Sequence, residues 1–460
     1  MKTFSINTLG CKVNQYESQQ IRELLEQLGL HKVEPAKKPD LTVINTCCVT
    51  HTASAKSRQY IRKAQKLSLD AVVVVCGCLP TVQISELNNT GKNVHLIKNR
   101  YNLAATLNRI ACNKATALGS QSPQDFPYIN TIIKAEINLK IKYKNESKNY
   151  RMLPPLTCFK SHTRAFLKIQ DGCDGYCSYC IVPKTRPFVH NKPDNAVLQE
   201  AQALVEAGHR EIVVTGVFLG AYGRESVRRK NWPNQRNDNL ADLLDKMAEI
   251  PHLARIRLSS LEPADVTPRL INTFCKHRKI MPHLHLSLQS GSNAVLKKMR
   301  RQYSADEFRE KIELIKHQLD RPSITTDIIV GFPGETDADF KQTIDLAEEV
   351  GFAKMHVFSF SPRRGTAAAN MQDTVDNRVI KDRSRILHNL NIELSQKFQQ
   401  QFLGEIAEIL LEKDDGQFCG RSERYFMVYL EKTKKKLKKN DLIRVKLLKY
   451  GKHGMLGQAL

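Results

Sequence analysis

The chain contains no apolar run of about 18 residues, the length a membrane-spanning helix needs, so no span is expected. Its start, MKTFSINTLGCKVNQYES, passes straight into a strand-like alternation with no apolar h-region. That argues against a secretory signal and for a cytoplasmic protein. Paired zinc-type spacings are missing too. After DGCDGYCSYCIVPKTRP, Asp171 to Pro187, no second CxxC and no HxxxH follows at finger distance, so a closed four-ligand zinc site lacks its second half.

What that stretch does hold is Cys173-xxx-Cys177-xx-Cys180, three of the chain's twelve cysteines within eight residues. Three is odd, which a closed disulfide set excludes, and in a reducing compartment cysteine is more often a metal ligand or a catalyst than a disulfide partner. The remaining reading is an iron–sulfur cluster held by three thiolates, with one iron left without a protein ligand. The formal charge of +24 favours a polyanionic partner, of which nucleic acid is the commonest. At 460 residues the chain is expected to form two or three domains.

Three blocks follow from periodicity. In residues 1–118 short apolar runs (FSINTL, LTVINTC, AVVVVCGC, VHLIKN) alternate with helical stretches, one of them placing Ile21, Leu24, Leu25 and Leu28 on one face from Glu17 to Leu30. Such alternation predicts a parallel α/β sheet. Three of its strands end in cysteine, at Cys11, Cys47 and Cys78, and ligands gather outside the carboxyl ends of parallel strands. Residues 119–158 lose the periodicity and read as a linker. A second α/β run over residues 159–398 has six strand candidates, AFLKIQ, EIVVTG, RIRLSS, HLHLSLQ, ITTDIIVG and KMHVFSFS, separated by helices such as 196–208 and 338–351. Six units suit an open partial barrel with its site at the carboxyl ends of the strands, and Cys173 follows the first. A polar amphipathic helix, 376–402, leads into 399–460, where short strands surround KTKKKLKKND and predict a small β-barrel for nucleic acid.

These residues carry a family resemblance over nearly the whole chain. The cysteine triplet, with Tyr179 before its last member, resembles the signature of radical S-adenosylmethionine (SAM) enzymes. TLGCKVNQYES, VINTCCVT, CGCLP, CSYCIVPKTR, SLQSGS and DIIVGFPGET resemble the methylthiotransferases, and TLGCKVNQYE is most similar to the branch acting on tRNA N6-threonylcarbamoyladenosine at position 37. The resemblance implies an N-terminal cluster domain, a radical-SAM partial (βα)6 barrel and a C-terminal TRAM β-barrel, all in an overall α/β chain. It implies two four-iron clusters, one on Cys173, Cys177 and Cys180 that chelates SAM through its open iron, and one on Cys11, Cys47 and Cys78 that carries the sulfur to be transferred. One SAM methylates that sulfur; a second yields the 5′-deoxyadenosyl radical that removes hydrogen from C2 of the adenine, where the methylthio group then joins.

By the family pattern Tyr179 packs near the adenine of SAM, and Thr215 and Gly216 meet its methionine end. Ser259, Glu262 and Gln289 are further lining residues; Gly331 and Gly334 either touch the cofactor or serve only as turn glycines. Cys48 and Cys76 lie beside the N-terminal trio, and Cys76 and Cys78 would share one face of a regular strand. Pro187 stands where relatives usually carry glycine. Cys112, Cys158, Cys275 and Cys419 fit no trio and are expected to be small buried hydrophobes. Lys432, Lys434, Lys435, Lys436, Lys438 and Lys439 are expected to contact RNA phosphates, which give affinity without sequence. The implied partners are tRNA, an electron donor such as a flavodoxin or ferredoxin, and a sulfur donor, with no membrane. Four other readings stay open: the isopentenyladenosine-37 branch, a ribosomal-protein aspartate as substrate, a non-catalytic iron–sulfur RNA sensor, and a zinc-binding translation factor.

Overall fold

The structure, a computed structural model, describes residues 1–67, 70–82, 87, 93–113, 153–160, 162–232, 237–414, 417–433, 436–451 and 454–460. Most of the expected linker, along with Lys434 and Lys435, lies outside the described residues. The chain divides into two compact units, residues 1–48 with 52–155, and residues 49–51 with 156–460. Among the described residues no helix is long and apolar enough to cross a membrane.

Unit 1 is built on a parallel sheet of five strands: β1 (Thr3–Thr8), β2 (His31–Lys32), β3 (Leu41–Thr46), β4 (Val72–Gly77) and β5 (Val94–Leu96), in the order β2-β1-β3-β4-β5. β3 is buried at every position, which its run LTVINT permits because helices cover both faces of a parallel sheet. The helix Lys12–Gln27 brings Ile21, Leu24 and Leu25 into one core with Phe4, Leu41, Val43 and Val74. It starts five residues before the expected Glu17, because its first turns bury polar side chains, Asn14, Glu17 and Ser18, which apolar periodicity cannot register.

Unit 2 begins with β6 (Ala165–Asp171), β7 (His190–Asn191), β8 (Glu211–Gly216), β9 (Arg255–Leu258), β10 (Ser260–Leu261), β11 (His283–Leu286), β12 (Ser323–Val330) and β13 (Lys354–Ser359). β6, β8, β9, β11, β12 and β13 are the six expected barrel strands. They form two sheets, β7-β6-β8-β9 and β10-β11-β12-β13, linked where Ile256 bridges Ile280 and Met281 N–H donates to the Ile256 carbonyl at 2.9 Å. Helices Asp194–Glu206 and Asp337–Val350 fall where the apolar spacing put them. The helix Asn377–Gln400 follows, capped by the Asp376 carboxylate on Arg378 N–H at 2.7 Å.

The C-terminal part is a closed barrel of β14 (Ile406–Asp414), β15 (Gln417–Ser422), β16 (Met427–Leu430), β17 (Leu442–Gly451) and β18 (Gly454–Ala459), ordered β14-β15-β16-β18-β17. The lysine segment joins β16 to β17, and β18 lies between them, so it is a crossing connection and not the turn of a hairpin. The β15–β16 turn is seated on the N-terminal ends of the parallel strands. There Arg257 donates to the carbonyls of Ser422 and Glu423 at 2.6 and 2.9 Å, and the Tyr425 ring lies 4.4 Å from that of His283. Burial acts to raise the Glu211 carboxyl, yet Arg257, Arg164 and Arg255 together hold it below its ordinary value. Removing one partner of such a buried pair would leave an uncompensated charge, at a cost on the order of 3–5 kcal/mol. Chemistry is left to the opposite, carboxyl-terminal mouth.

Candidate active site

At that mouth, β6 runs into the cysteine loop. Gly172 takes φ +80°, and a Cβ there would meet the Phe188 carbonyl oxygen at 1.6 Å, so only glycine fits. Asp171 ties the loop's two ends, pairing with Lys168 at 2.7 Å and Arg186 at 2.6 Å, while Cys173 N–H donates to the Arg186 carbonyl at 2.8 Å. Proline at 187 therefore sits just beyond a pinned residue. Each thiol has a donor aimed at it: Gly175 N–H to Cys173 Sγ at 3.3 Å, Arg301 Nη1 to Cys177 Sγ at 3.0 Å, and Val182 N–H to Cys180 Sγ at 3.4 Å. Burial pushes the Cys173 thiol up to about 12 and raises Cys177 as well, the latter against the pull of Arg301. Buried thiols of this kind become thiolates when a metal cation sits beside them. Donors directed at sulfur are what a thiolate-ligated cluster uses, so the residues present fit an iron–sulfur cluster.

Arg301 joins the loop to the lining residues. Its Nη1 also reaches the Tyr179 hydroxyl at 3.3 Å, and its Nη2 pairs with Glu262, which accepts from Arg229 Nη2 at 3.4 Å as well. Arg229 in turn holds Asp265 at 2.6 Å. The Glu262 carboxylate thus serves two arginines. Tyr179 packs among Val295, Met299, Phe332 and Ala368. Thr215 and Gly216 end β8, and a Cβ on Gly216 would lie 3.1 Å from Gln170 Oε1. Ser259 follows β9, and its Oγ is buried with no hydrogen-bond partner, an orphan that a polar ligand would satisfy. Gln289, past the end of β11, has φ +67°, a strained backbone of the sort that collects at ligand sites. The two glycines of GFPGET both have positive φ. Gly331 at φ +74° gives its N–H to Glu335 at 2.7 Å, and Gly334, also at φ +74°, gives its own to the Asp373 carbonyl at 2.6 Å.

A further group escaped the reading of motifs. His285, Asp327 and His356, on β11, β12 and β13, bring one ligand atom each within 4.8 Å of one another. His285 Nδ1 meets Thr325 Oγ1 at 2.9 Å and its Nε2 lies 3.3 Å from Asp327. Only their positions two apart on strands, His283 with His285 and Thr325 with Asp327, hinted at a shared face.

In unit 1 the second trio follows three neighbouring strands. Cys11 comes after β1, Cys47 after β3 and Cys78 after β4, with β3 between the other two. A small polar lattice joins the three turns. Asn14 Nδ2 donates to the carbonyls of Leu9 at 2.7 Å and Thr46 at 3.0 Å, and Cys78 N–H donates to the Thr46 carbonyl at 3.0 Å. Thr46 Oγ1 bonds the Cys76 carbonyl at 2.6 Å, and Ser57 Oγ bonds the Cys47 carbonyl at 3.0 Å. Two glycines allow this approach. A Cβ on Gly10 (φ +101°) would meet Cys47 Cβ at 2.8 Å, and one on Gly77 (φ +90°) would meet the Thr46 carbonyl oxygen at 2.4 Å. The Gly77 turn also separates the two candidate thiols. Cys76 stays within β4 and belongs to the apolar core with Val74 and Phe4, whereas Cys78 lies beyond the strand.

The chain's twelve cysteines differ widely in exposure. Of those outside the trios, Cys419 is buried, but Cys112 and Cys275 are exposed, contrary to the expectation of small buried hydrophobes. Each lies on a helix, Leu103–Asn113 and Pro268–Lys276, whose apolar face is turned elsewhere. Lys432, Lys436, Lys438 and Lys439 are exposed, and Leu437 among them packs against the core of the C-terminal barrel. The described lysines of the run therefore face outward beside one apolar anchor, Leu437.

A parallel partial barrel with a three-thiol loop after its first strand defines a class, and residues 167–347 match the radical SAM superfamily. The protein is a radical-SAM enzyme and as such uses SAM and an iron–sulfur cluster. Residues 3–98 match the family described as Uncharacterized protein family UPF0004. Two relatives extend the likeness to the whole chain. Threonylcarbamoyladenosine tRNA methylthiotransferase MtaB of Bacillus subtilis (strain 168) is 34% identical over 458 residues, 98% of this chain and 95% of that protein. The protein of the same name from Chlamydia pneumoniae is 34% identical over 459 residues, 99% and 98% of the two chains. The chain belongs to the radical-SAM methylthiotransferase family, in the branch these relatives represent. A solved structure of the radical SAM methyltransferase TsrM from Kitasatospora setae superposes with a TM-score of 0.54 at 13% identity, covering 80% of this chain and 77% of that one; the likeness is one of fold.

Proposed function

We propose that this enzyme adds a methylthio group at C2 of N6-threonylcarbamoyladenosine at position 37 of tRNA, using two SAM molecules and two four-iron clusters. The observation that carries this reading is a three-thiol set at the carboxyl end of a parallel sheet in each unit. Unit 1 has one thiol after each of three neighbouring parallel strands, unit 2 has three thiols in the loop after its first parallel strand, and the curated relatives named for this substrate match the chain from end to end. In domain terms, residues 1–118 hold the auxiliary cluster, 119–158 link, 159–398 form the radical-SAM domain and 399–460 the RNA-binding TRAM domain.

When bound, the barrel cluster and SAM supply a carbon radical able to take hydrogen from an unactivated C–H bond, and the second cluster supplies sulfur. The chain's part is to hold and orient them. Cys173, Cys177 and Cys180 ligate one cluster and Cys11, Cys47 and Cys78 the other. Arg301 keeps a positive charge beside Cys177 while its partner Glu262 fixes it in place. Tyr179, Thr215, Gly216, Ser259 and Gln289 line the cofactor. An external electron donor and a sulfur donor complete the cycle.

Anaerobically reconstituted protein is expected to bind about eight iron atoms, two four-iron sets. Replacing Cys173, Cys177 and Cys180 by alanine should halve that content and end SAM cleavage; iron unchanged by the triple substitution would remove the assignment.

The exposed lysines give a separate expectation. Neutralising the six from Lys432 to Lys439 should weaken tRNA binding and flatten its salt dependence, each lost phosphate contact lowering the log–log slope by about 0.7–0.9. Titrations at several salt concentrations measure this, and an unchanged slope would mean that the segment only faces solvent.

A further inference from the structure

Exposed aromatic rings in unit 2 are concentrated at one place. Among its described residues, the large aromatics counted as exposed are Tyr176, Phe188 and Phe358. Phe358 is the penultimate residue of β13, and the other two belong to the cysteine loop and its return, with the Phe188 backbone against Gly172. All three therefore stand at the carboxyl-terminal mouth. Apolar rings exposed by chance would be scattered over the surface.

Tyr176 is the most elaborately supported of the three. It lies between Cys173 and Cys177, and the Arg228 guanidinium sits 4.0 Å from its ring centroid, with Lys230 Nζ at 5.4 Å. Arg228 is not a loose side chain. Its Nε donates to the Asp174 carbonyl at 2.7 Å, and the Asp174 carboxylate in turn holds Ser226 Oγ at 2.7 Å and Val227 N–H at 2.8 Å. From the other side Gln302 accepts from Arg229 N–H at 2.9 Å and donates to the Val227 carbonyl at 3.1 Å. The segment 226–230 is thus stitched to the cluster loop, and yet Tyr176, which it supports, remains 42% exposed. A ring held rigidly over a guanidinium but left open to solvent has its ordering cost met in advance, which is the condition for a stacking platform.

We infer that Tyr176, backed by Arg228, is a stacking site for an unpaired base of the RNA loop next to the modified adenosine, with Lys230 taking a neighbouring phosphate. The inference rests on the tRNA reading above and deepens it by naming where the loop is held. Aromatic stacking suits a base of any identity, and a lysine beside it suits the backbone, so the site positions the loop and leaves choice of nucleotide to the barrel. The alternation of exposed ring and fixed cation, in a chain carrying +24, fits a polyanion bearing flat bases better than a peptide.

The test is binding of an anticodon stem–loop RNA to the reconstituted holoenzyme, followed by fluorescence anisotropy across salt concentrations, with iron content measured for every variant. Tyr176→Ala is expected to weaken binding about tenfold or more with an unchanged salt slope. Tyr176→Phe should bind as the parent does, and Lys230→Ala should lower the slope by about 0.7. Tyr176→Ala binding like the parent, or Tyr176→Phe losing as much as alanine, overturns the inference while the tRNA reading stands. A parent enzyme that does not bind the stem–loop overturns both.

Discussion

Changing Cys11, Cys47 and Cys78 together to alanine is expected to abolish methylthiolation while reductive cleavage of SAM to 5′-deoxyadenosine continues. The two trios lie in different compact units, and the donors that address the barrel thiols, from Gly175, Val182 and Arg301, all come from unit 2. Nothing that holds the barrel cluster is removed by the substitution. Unit 1 should survive as well, because the turns that carry its three thiols are fixed by Asn14, Thr46 and Ser57 through backbone carbonyls, which alanine retains. Chromatography of 5′-deoxyadenosine and of tRNA nucleosides from the same reaction reads both activities. A variant that retained its barrel cluster but lost SAM cleavage would show that the division of labour is wrong. Cys76→Ala is the matching control. Its side chain packs in the apolar core, so it should lose a modest amount of stability and no sulfur transfer.

The placing of Cys11, Cys47 and Cys78 at strand ends was legible in the sequence for a physical reason. Parallel α/β topology gathers the carboxyl ends of strands, so a cysteine after each of three apolar runs predicts convergence without any knowledge of strand order. What holds the trios was not legible, since it depends on partners far away in the chain. Arg301 is 124 residues from Cys177, and Asn14 is 32 from Thr46, and neither spacing leaves a local pattern. Regular alternation also misled at Cys76 and Cys78, which share a face only if the strand continues; Gly77 ends it with a positive φ. The six barrel strands were visible as apolar runs. β15 (QFCGRS) and β18 (GMLGQA) were not, because glycine and polar residues there are tolerated only once the barrel closes around them. That closure also decides that the two strands on either side of the lysine segment are not neighbours, a fact no turn signal encodes.

A strain lacking this protein is expected to lose 2-methylthio-N6-threonylcarbamoyladenosine from its tRNA and to accumulate the unthiolated nucleoside, while any isopentenyl counterpart stays at its normal level. Both clusters would serve any methylthiotransferase, and an anchored lysine segment or an exposed tyrosine would serve any RNA loop, so none of these features selects the substrate. Selection has to come from groups at the barrel mouth that tell one adenosine substituent from another. A threonylcarbamoyl group presents a carboxylate and a hydroxyl, whereas an isopentenyl group is wholly apolar. Polar groups arranged to pair with the first would be left unsatisfied around the second, at a cost of several kcal/mol and a discrimination of about 10⁴ or more. The mouth is polar in character, with Arg301 and Arg229 held there by Glu262 and Asp265. Mass spectrometry of digested tRNA from the two strains distinguishes the cases, because the two thiolated nucleosides differ in mass. Depletion of the isopentenyl product instead would move the enzyme to the sister branch and leave its radical chemistry, its two trios and its closed C-terminal barrel as described.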